Sequence, residues 1–146
     1  MTDIPFVPSS PDRLTVMLEL AAVQPGQKTA DLGSGDGRVV IAMAKAGAEA
    51  HGFEINPKLI TEARENIAEE GLENKAFIHD MNFWDCDLSQ YDIVSVYGIT
   101  SIMERLEKKC LAEMKTGAKV VSNYFTFPNW TPSLVKEKVY LYLKSK

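Results

Sequence analysis

The segment Asp31-Leu32-Gly33-Ser34-Gly35-Asp36-Gly37 constrains the fold of this chain more than any other. It follows residues 28–32, which read as a short strand. It precedes residues 38–46, where Val39, Met43 and Ala46 fall on one helical face and Gly47 supplies a stop. Glycines at such a junction let the backbone turn sharply and let a ligand lie directly on it. Strand, glycine turn and helix together open a βαβ unit, whose strand must find parallel neighbours.

Those neighbours are written downstream. Residues 50–55 form a second strand, and Asn56 with Pro57 opens a helix whose buried stripe is Leu59, Ile60, Ala63 and Ile67, closed by Gly71. Residues 75–79 form a third strand, and residues 92–97 a fourth, apolar enough to be central in a parallel sheet. Ile99, Met103, Leu106, Cys110 and Met114 mark another crossover helix ended by Gly117, and residues 119–125 form a fifth strand. Upstream, Ser10 and Pro11 start a helix carrying Leu14, Met17, Leu18 and Ala21. The expected fold is α/β: a doubly wound, mostly parallel Rossmann-like sheet with helices on both faces. Residues 126–138 are too short and broken for a further helix and full strand. The sheet is therefore expected to be truncated after the fifth strand and closed by a C-terminal edge strand, residues 139–144.

Length limits the chain to one domain, residues 1–146, with residues 1–12 as a lead segment. The net charge of −4 argues against nucleic acid as a partner, because phosphate binding needs a basic face. Cys86 and Cys110 lack metal-ligand spacing, and His51 and His79 stand alone in sequence, so no metal site is expected. No apolar run reaches the ~18 residues that span a membrane, and the N-terminus is not a signal peptide, so a cytoplasmic enzyme is expected.

In a sheet of this kind, ligands bind beyond the carboxyl ends of the central strands. The turn reads G-x-G-x-G bracketed by Asp31 and Asp36, unlike the G-x-G-x-x-G that seats a pyrophosphate. Two carboxylates repel a pyrophosphate and suit a ligand carrying an ammonium and a sulfonium, which favours S-adenosyl-L-methionine over a dinucleotide. Glu54 ends the second strand, where a carboxylate can accept from ribose hydroxyls, and Ile55 can pack on the adenine. Asp80 ends the third strand, placed to accept from the adenine amine, with Met81 or Phe83 against the ring. The expected cofactor site thus holds Asp31, Gly33, Ser34, Gly35, Glu54, Ile55, Asp80 and Met81.

At these residues the chain resembles class I methyltransferases. The segments PFVPSSPDRLTVML, DLGSGDGR, GFEINPKLI, SQYDIVSVYG and FTFPNWTP resemble more closely the small protein-lysine methyltransferases. That family includes a broad-specificity archaeal enzyme and mitochondrial enzymes acting on the ATP synthase c-subunit and the adenine nucleotide translocase. The resemblance implies that Asp31, Gly33 and Gly35 hold the methionine end, Glu54 the ribose and Asp80 the adenine edge. It also implies that the lead Phe6-Val7-Pro8-Ser9-Ser10 folds over the cofactor, with Pro8 in contact. The mitochondrial members carry a targeting or anchoring segment, whereas this chain starts almost directly at the FVP lead, so their substrates are not carried over.

A lysine acceptor must lose its proton, since its ordinary pKa is about 10.4 and the ammonium has no lone pair. An aromatic slot favours the neutral amine. Tyr97, Tyr124, Phe125, Phe127 and Trp130 lie at or beyond the fourth and fifth strand ends, and Trp130 is the residue expected to face a substrate. The tetrapeptide Val96-Tyr97-Gly98-Ile99 stands where adenine-N6 and glutamine methyltransferases carry N/D-P-P-Y/F. No general base presents itself, and the catalytic residues stay unassigned. The expected function is methyl transfer to lysine side chains of protein. The alternatives are a small-molecule methyltransferase, which would need a closed pocket covered by residues 1–12, and a non-catalytic S-adenosylmethionine-binding module.

Overall fold

The computed structural model describes residues 11–97 and 100–145. Its elements in chain order are α1 (Pro11–Ala21), β1 (Lys28–Leu32), α2 (Arg38–Lys45), β2 (Glu49–Glu54), α3 (Pro57–Glu69), β3 (Ala76–Asp80), β4 (Ile93–Val96), α4 (Thr100–Glu113), β5 (Lys119–Asn123), β6 (Leu134–Lys136) and β7 (Val139–Leu143). They form one seven-stranded sheet in the order β3-β2-β1-β4-β5-β7-β6. The strands β1 to β5 run parallel, while β7 lies antiparallel to both β5 and β6. The expected α/β sheet with helices on both faces is therefore present. Ser10 and the rest of the lead, Pro8 included, lie outside the described residues, as does Ile99.

The sheet's far end differs from expectation. No helix follows β5, as anticipated, but the last strand is not the edge. The three residues of β6 fold back on β7 in a hairpin and take the edge themselves, all of them exposed. Apolar patterning misses a strand this short, and its turn, Glu137-Lys138, has positive φ at both residues (49° and 60°) without the Asn or Gly such turns favour.

Each face of the sheet carries its own core. On one side, α1, α2 and α3 bury Met17, Val40, Met43, Ile60 and Ala63 against Ala50, Ile93 and Val121. Asn56 caps α3, its side-chain oxygen accepting from Lys58 N at 3.0 Å and Leu59 N at 3.3 Å, with Pro57 opening the helix. On the other side, α4 packs Met103, Leu106 and Cys110 against Leu32, Val94, Val96 and Val120.

That second face has little helix, because β3 and β4 are joined only by two single-turn 3₁₀ segments, Phe83–Asp85 and Leu88–Gln90. Rings tile it instead. His51 stacks on Phe77 and on His79, each with centroids 5.1 Å apart, and His79 stacks on Phe53 at 4.9 Å. The two histidines that looked isolated in sequence meet because the parallel register sets His51 opposite Phe77 and His79 opposite Phe53, one pleat apart on one face. Their rings are 2.8 Å apart at Nδ1 and Nε2, and Glu49 contacts the other nitrogen of His51 at 2.7 Å. Both cysteines are buried free thiols, held well above the usual range by that burial. Among the described residues no helix is long and apolar enough to cross a membrane.

One close approach fixes β2 against the glycine turn. A Cβ on Gly52 would lie 2.6 Å from both Cβ and Oγ of Ser34 and 2.8 Å from Val40 Cγ2. Gly52→Ala is expected to cost about 1–3 kcal/mol through overpacking. A urea denaturation midpoint equal to that of the parent chain would show that Ser34 and Val40 have room to move.

Candidate functional site

The carboxyl ends of β1, β2 and β4 converge at the turn 33–37. Gly33 N and Ser34 N both donate to Phe53 O, at 2.9 and 3.0 Å, which extends the β1–β2 ladder one step beyond the strand. The chain then reverses, and Gly35, at φ 57°, points its N–H at Glu54 Oε1 at 2.8 Å. Glu54 Oε2 accepts from Ile55 N and Asn56 N, both at 3.1 Å, where α3 begins. Glu54 is only 5% exposed. Its charge is held by three backbone donors and the positive end of a helix. The turn around this carboxylate is preformed.

Asp31 sits behind the turn, buried, accepting from Ser95 Oγ at 2.8 Å. Burial is the main reason its carboxyl is pushed up to about 7; the Ser95 bond opposes that shift, and Glu54 and Asp36 add to it. Folding thus favours the protonated acid, so Asp31 contributes stability that is fully present below its ordinary value of 3.8 and is lost as pH rises through about 7. Ser95 carries no signal in the sequence. Only the β1–β4 register, which sets Asp31 opposite Ser95, identifies it.

Other expected site residues are placed differently. Ser34 turns its buried side chain inward onto Gly52, so it is a packing residue of the turn. Asp36 faces α2, where Arg38 grips it through Nε at 3.1 Å and Nη2 at 2.6 Å, so Asp31 and Asp36 do not bracket one ligand as a pair. Ile55 and Met81, with Gly33, Phe53, Glu54, Asn82 and Phe83, line a cleft beside the turn. Met81 N donates to Glu54 O at 3.2 Å, which fixes one wall of that cleft, and Asp80 stands exposed at its rim.

The expected aromatic slot divides in two. Tyr97 and Tyr124, ending β4 and β5, lie with ring centroids 5.5 Å apart. Burial raises the Tyr97 phenol, and Tyr124 adds to the shift. Tyr124 is 41% exposed just beyond the carboxyl end of β5.

Among the described residues, Phe127 and Trp130 pack with Tyr142 and not with the Tyr97–Tyr124 pair. Phe127 is 4% exposed and gives its N–H to Tyr142 Oη at 3.0 Å. Trp130 stacks on Phe127 at 5.5 Å and leans over Tyr142 at 5.2 Å. Asn129 between them is clamped by the buried Glu107 of α4 through N at 2.7 Å and Nδ2 at 3.0 Å. Phe125 packs against the same core. These loop aromatics fill the face where no helix follows β5, and an aromatic loop motif cannot by itself distinguish that task from substrate contact. Trp130→Ala is accordingly expected to cost about 2–3 kcal/mol of stability, below the value for a fully buried Trp because one side is open. Thermal unfolding checks this, and an unchanged melting temperature would return Trp130 to the substrate side.

The sheet order and the ligand edge define a Rossmann-like methyltransferase fold. Residues 31–134 match the family described as the ANTKMT methyltransferase domain, and the chain belongs to that family. The ATP synthase c-subunit lysine N-methyltransferase of Rattus norvegicus is 38% identical over 129 residues, covering 88% of this chain but 59% of that protein. The chain thus spans little more than half the length of the rat, human, Xenopus and mouse ATP synthase c-subunit enzymes it matches. The protein-lysine N-methyltransferase of Saccharolobus islandicus is 36% identical, with 96% of this chain and 93% of that one aligned. Among solved structures, an RNA methyltransferase from Salinibacter ruber in complex with S-adenosyl-L-homocysteine is 32% identical with a TM-score of 0.93, covering 96% of this chain and 95% of that one.

Proposed function

We propose that this chain is an S-adenosyl-L-methionine-dependent methyltransferase that acts on lysine side chains of protein. The observation that carries the cofactor assignment is the Glu54 carboxylate locked into the glycine turn. A carboxylate offers about four acceptor sites. Backbone N–H groups take three, and Oε1 accepts only from Gly35 among the described residues. That oxygen keeps a lone pair for a ribose hydroxyl, and Ile55, Met81 and Phe83 beside the turn are apolar side chains that would part to seat an adenine, the cleft between them having room for about one water in this structure. Asp31 supplies the charge logic: a cationic ligand nearby favours the ionised acid that burial disfavours. Gly33 and Gly35 leave the backbone open to the methionine end, and Asp80 at the rim is the partner for the adenine amine.

The cofactor supplies an electrophilic methyl group on a sulfonium, so the protein's share is alignment and exclusion of water. Tyr97 and Tyr124 make the acceptor slot. Packed ring against ring, the two form one continuous aromatic surface, and burial of a side chain against it strips water from the ammonium and favours the amine that carries a lone pair. The proton leaves to solvent before transfer, and the site needs no base. The exposed Tyr124 suits a side chain presented by a macromolecule better than a small molecule that must be enclosed. The family membership and the near-complete alignment with the Saccharolobus islandicus enzyme support lysine as the acceptor. The Salinibacter ruber relative supports RNA as the second reading.

Binding a cation beside Asp31 releases its proton, so cofactor affinity should fall up to about tenfold per pH unit below about 7. Calorimetric titration of S-adenosylmethionine from pH 5.5 to 7.5 tests this, with Asp31→Asn expected to flatten the profile. A flat wild-type profile would remove the charge argument. The acceptor is tested by incubating methyl-labelled cofactor with cell extract, then separating protein, RNA and small molecules and hydrolysing the protein. Methyl-lysine is the expected product. Label in RNA alone would overturn the lysine assignment in favour of the second reading, and bound cofactor without transfer would reduce the chain to a binding module.

A further inference from the structure

Four non-glycine residues have positive φ among the described residues: Ala22, Tyr124, Glu137 and Lys138. Three of them converge on one side chain. The Arg13 guanidinium of α1 lies 4.0 Å from the Tyr124 ring centroid, over its face. It donates to Glu137 O, to Lys138 O at 3.2 Å and to Asn123 Oδ1 at 3.1 Å. Lys138 O also accepts from Tyr124 N at 2.7 Å, so the hairpin turn and the end of β5 are joined directly as well as through Arg13.

A bulky residue with φ of 65° is strained, and such strain persists only where the surroundings over-determine it. Here the surroundings are the β6–β7 turn below and the guanidinium above. Without the left-handed kink the chain would continue along β5, and the Tyr124 ring would not lie against Tyr97. The planar fork suits the task, since its donors reach three acceptors while its face stacks on a ring; an ammonium has no such geometry.

We propose that Arg13 is a positioning residue for methyl transfer, acting through Tyr124 to set the acceptor slot. The proposal rests on the reading of Tyr97 and Tyr124 as that slot. It assigns α1 a share in acceptor recognition, and it assigns the β6–β7 hairpin the role of footing for a functional aromatic.

The test measures initial rates of methyl-lysine formation in a cell-protein extract, at rising extract concentration and well below each variant's melting temperature. The chains compared are wild type, Arg13→Met, Arg13→Lys, Tyr124→Gly and Arg13→Met/Tyr124→Gly. Wild-type turnover is scored first, and its absence would sink the lysine reading itself. Given turnover, Arg13→Met should lower the rate at limiting extract tenfold or more, with the dissociation constant for S-adenosylmethionine within twofold of wild type. Arg13→Lys, which keeps charge and stem but not the fork, should recover less than half of that loss. In the Tyr124→Gly background, where glycine bears the φ without strain and no ring is left to place, Arg13→Met should change the rate less than twofold. Equal losses in both backgrounds would overturn the proposal, because Arg13 would then act independently of Tyr124. A parallel drop in cofactor affinity would overturn it too, as the mark of a merely structural residue, and full recovery by Arg13→Lys would overturn the role of the fork.

Discussion

The carboxylate of Glu54 ties the glycine turn after β1 to the start of α3. One oxygen takes the N–H of the glycine turn that follows β1, and the other takes the first two N–H groups of the segment that starts α3. The residue before it, Phe53, gives its carbonyl to two more donors of the same turn, and Gly52 makes room for Ser34. Three consecutive residues of β2 therefore shape the loop after β1. Removing the carboxylate strands buried donors, each a loss of about 1–3 kcal/mol. The residue that reads in sequence as a ribose contact is, in the structure, the clasp of the turn, so deleting it would disturb the local fold as well as any ligand it meets.

A chain this short covers a two-sided sheet by substituting rings for helices. One face has three helices, while the other has α4 and two aromatic patches flanking it. Near β3, the stack of Phe77, His51, His79 and Phe53 shields the strands where β3 and β4 are linked only by 3₁₀ turns. Near β7, Phe127 and Trp130 close over Tyr142 while Glu107 ties their loop to α4. Flat rings bury a large area per residue for few frozen torsions, which makes them an efficient cover where chain length is limiting.

This substitution explains which parts of the molecule were legible in the sequence. The parallel strands and crossover helices announce themselves because a buried strand or an amphipathic helix repeats its pattern over many residues. Glu54 and the glycine turn were legible because backbone conformation and strand ends dictate residue type there. The tail was not. Three exposed residues make β6, and the hairpin turn uses Glu137 and Lys138 where Asn and Gly would have signalled it. Trp130 and Phe127 carry the same residue types whether they cover a core or meet a substrate. Ser95 and the His51–His79 pair depend on register, which no local pattern encodes.

Among the described residues, three of the four non-glycine positions with positive φ, and the buried Asp31, lie toward the edge formed by the carboxyl ends of the parallel strands, Ala22 at the end of α1 being the exception. Tyr124 and the Glu137–Lys138 turn hold their positive φ at that edge, next to the end of β5. Asp31, whose carboxyl burial drives up to about 7, lies at the end of β1 under the same edge. A core gains nothing from a buried acid short of its charge or from a tyrosine kinked out of its strand. Both are tolerated because the rest of the sheet, with β1 and β4 buried on both faces, is over-determined by packing. Both lie toward the carboxyl ends of the parallel strands, the edge at which this class of sheet takes its ligands.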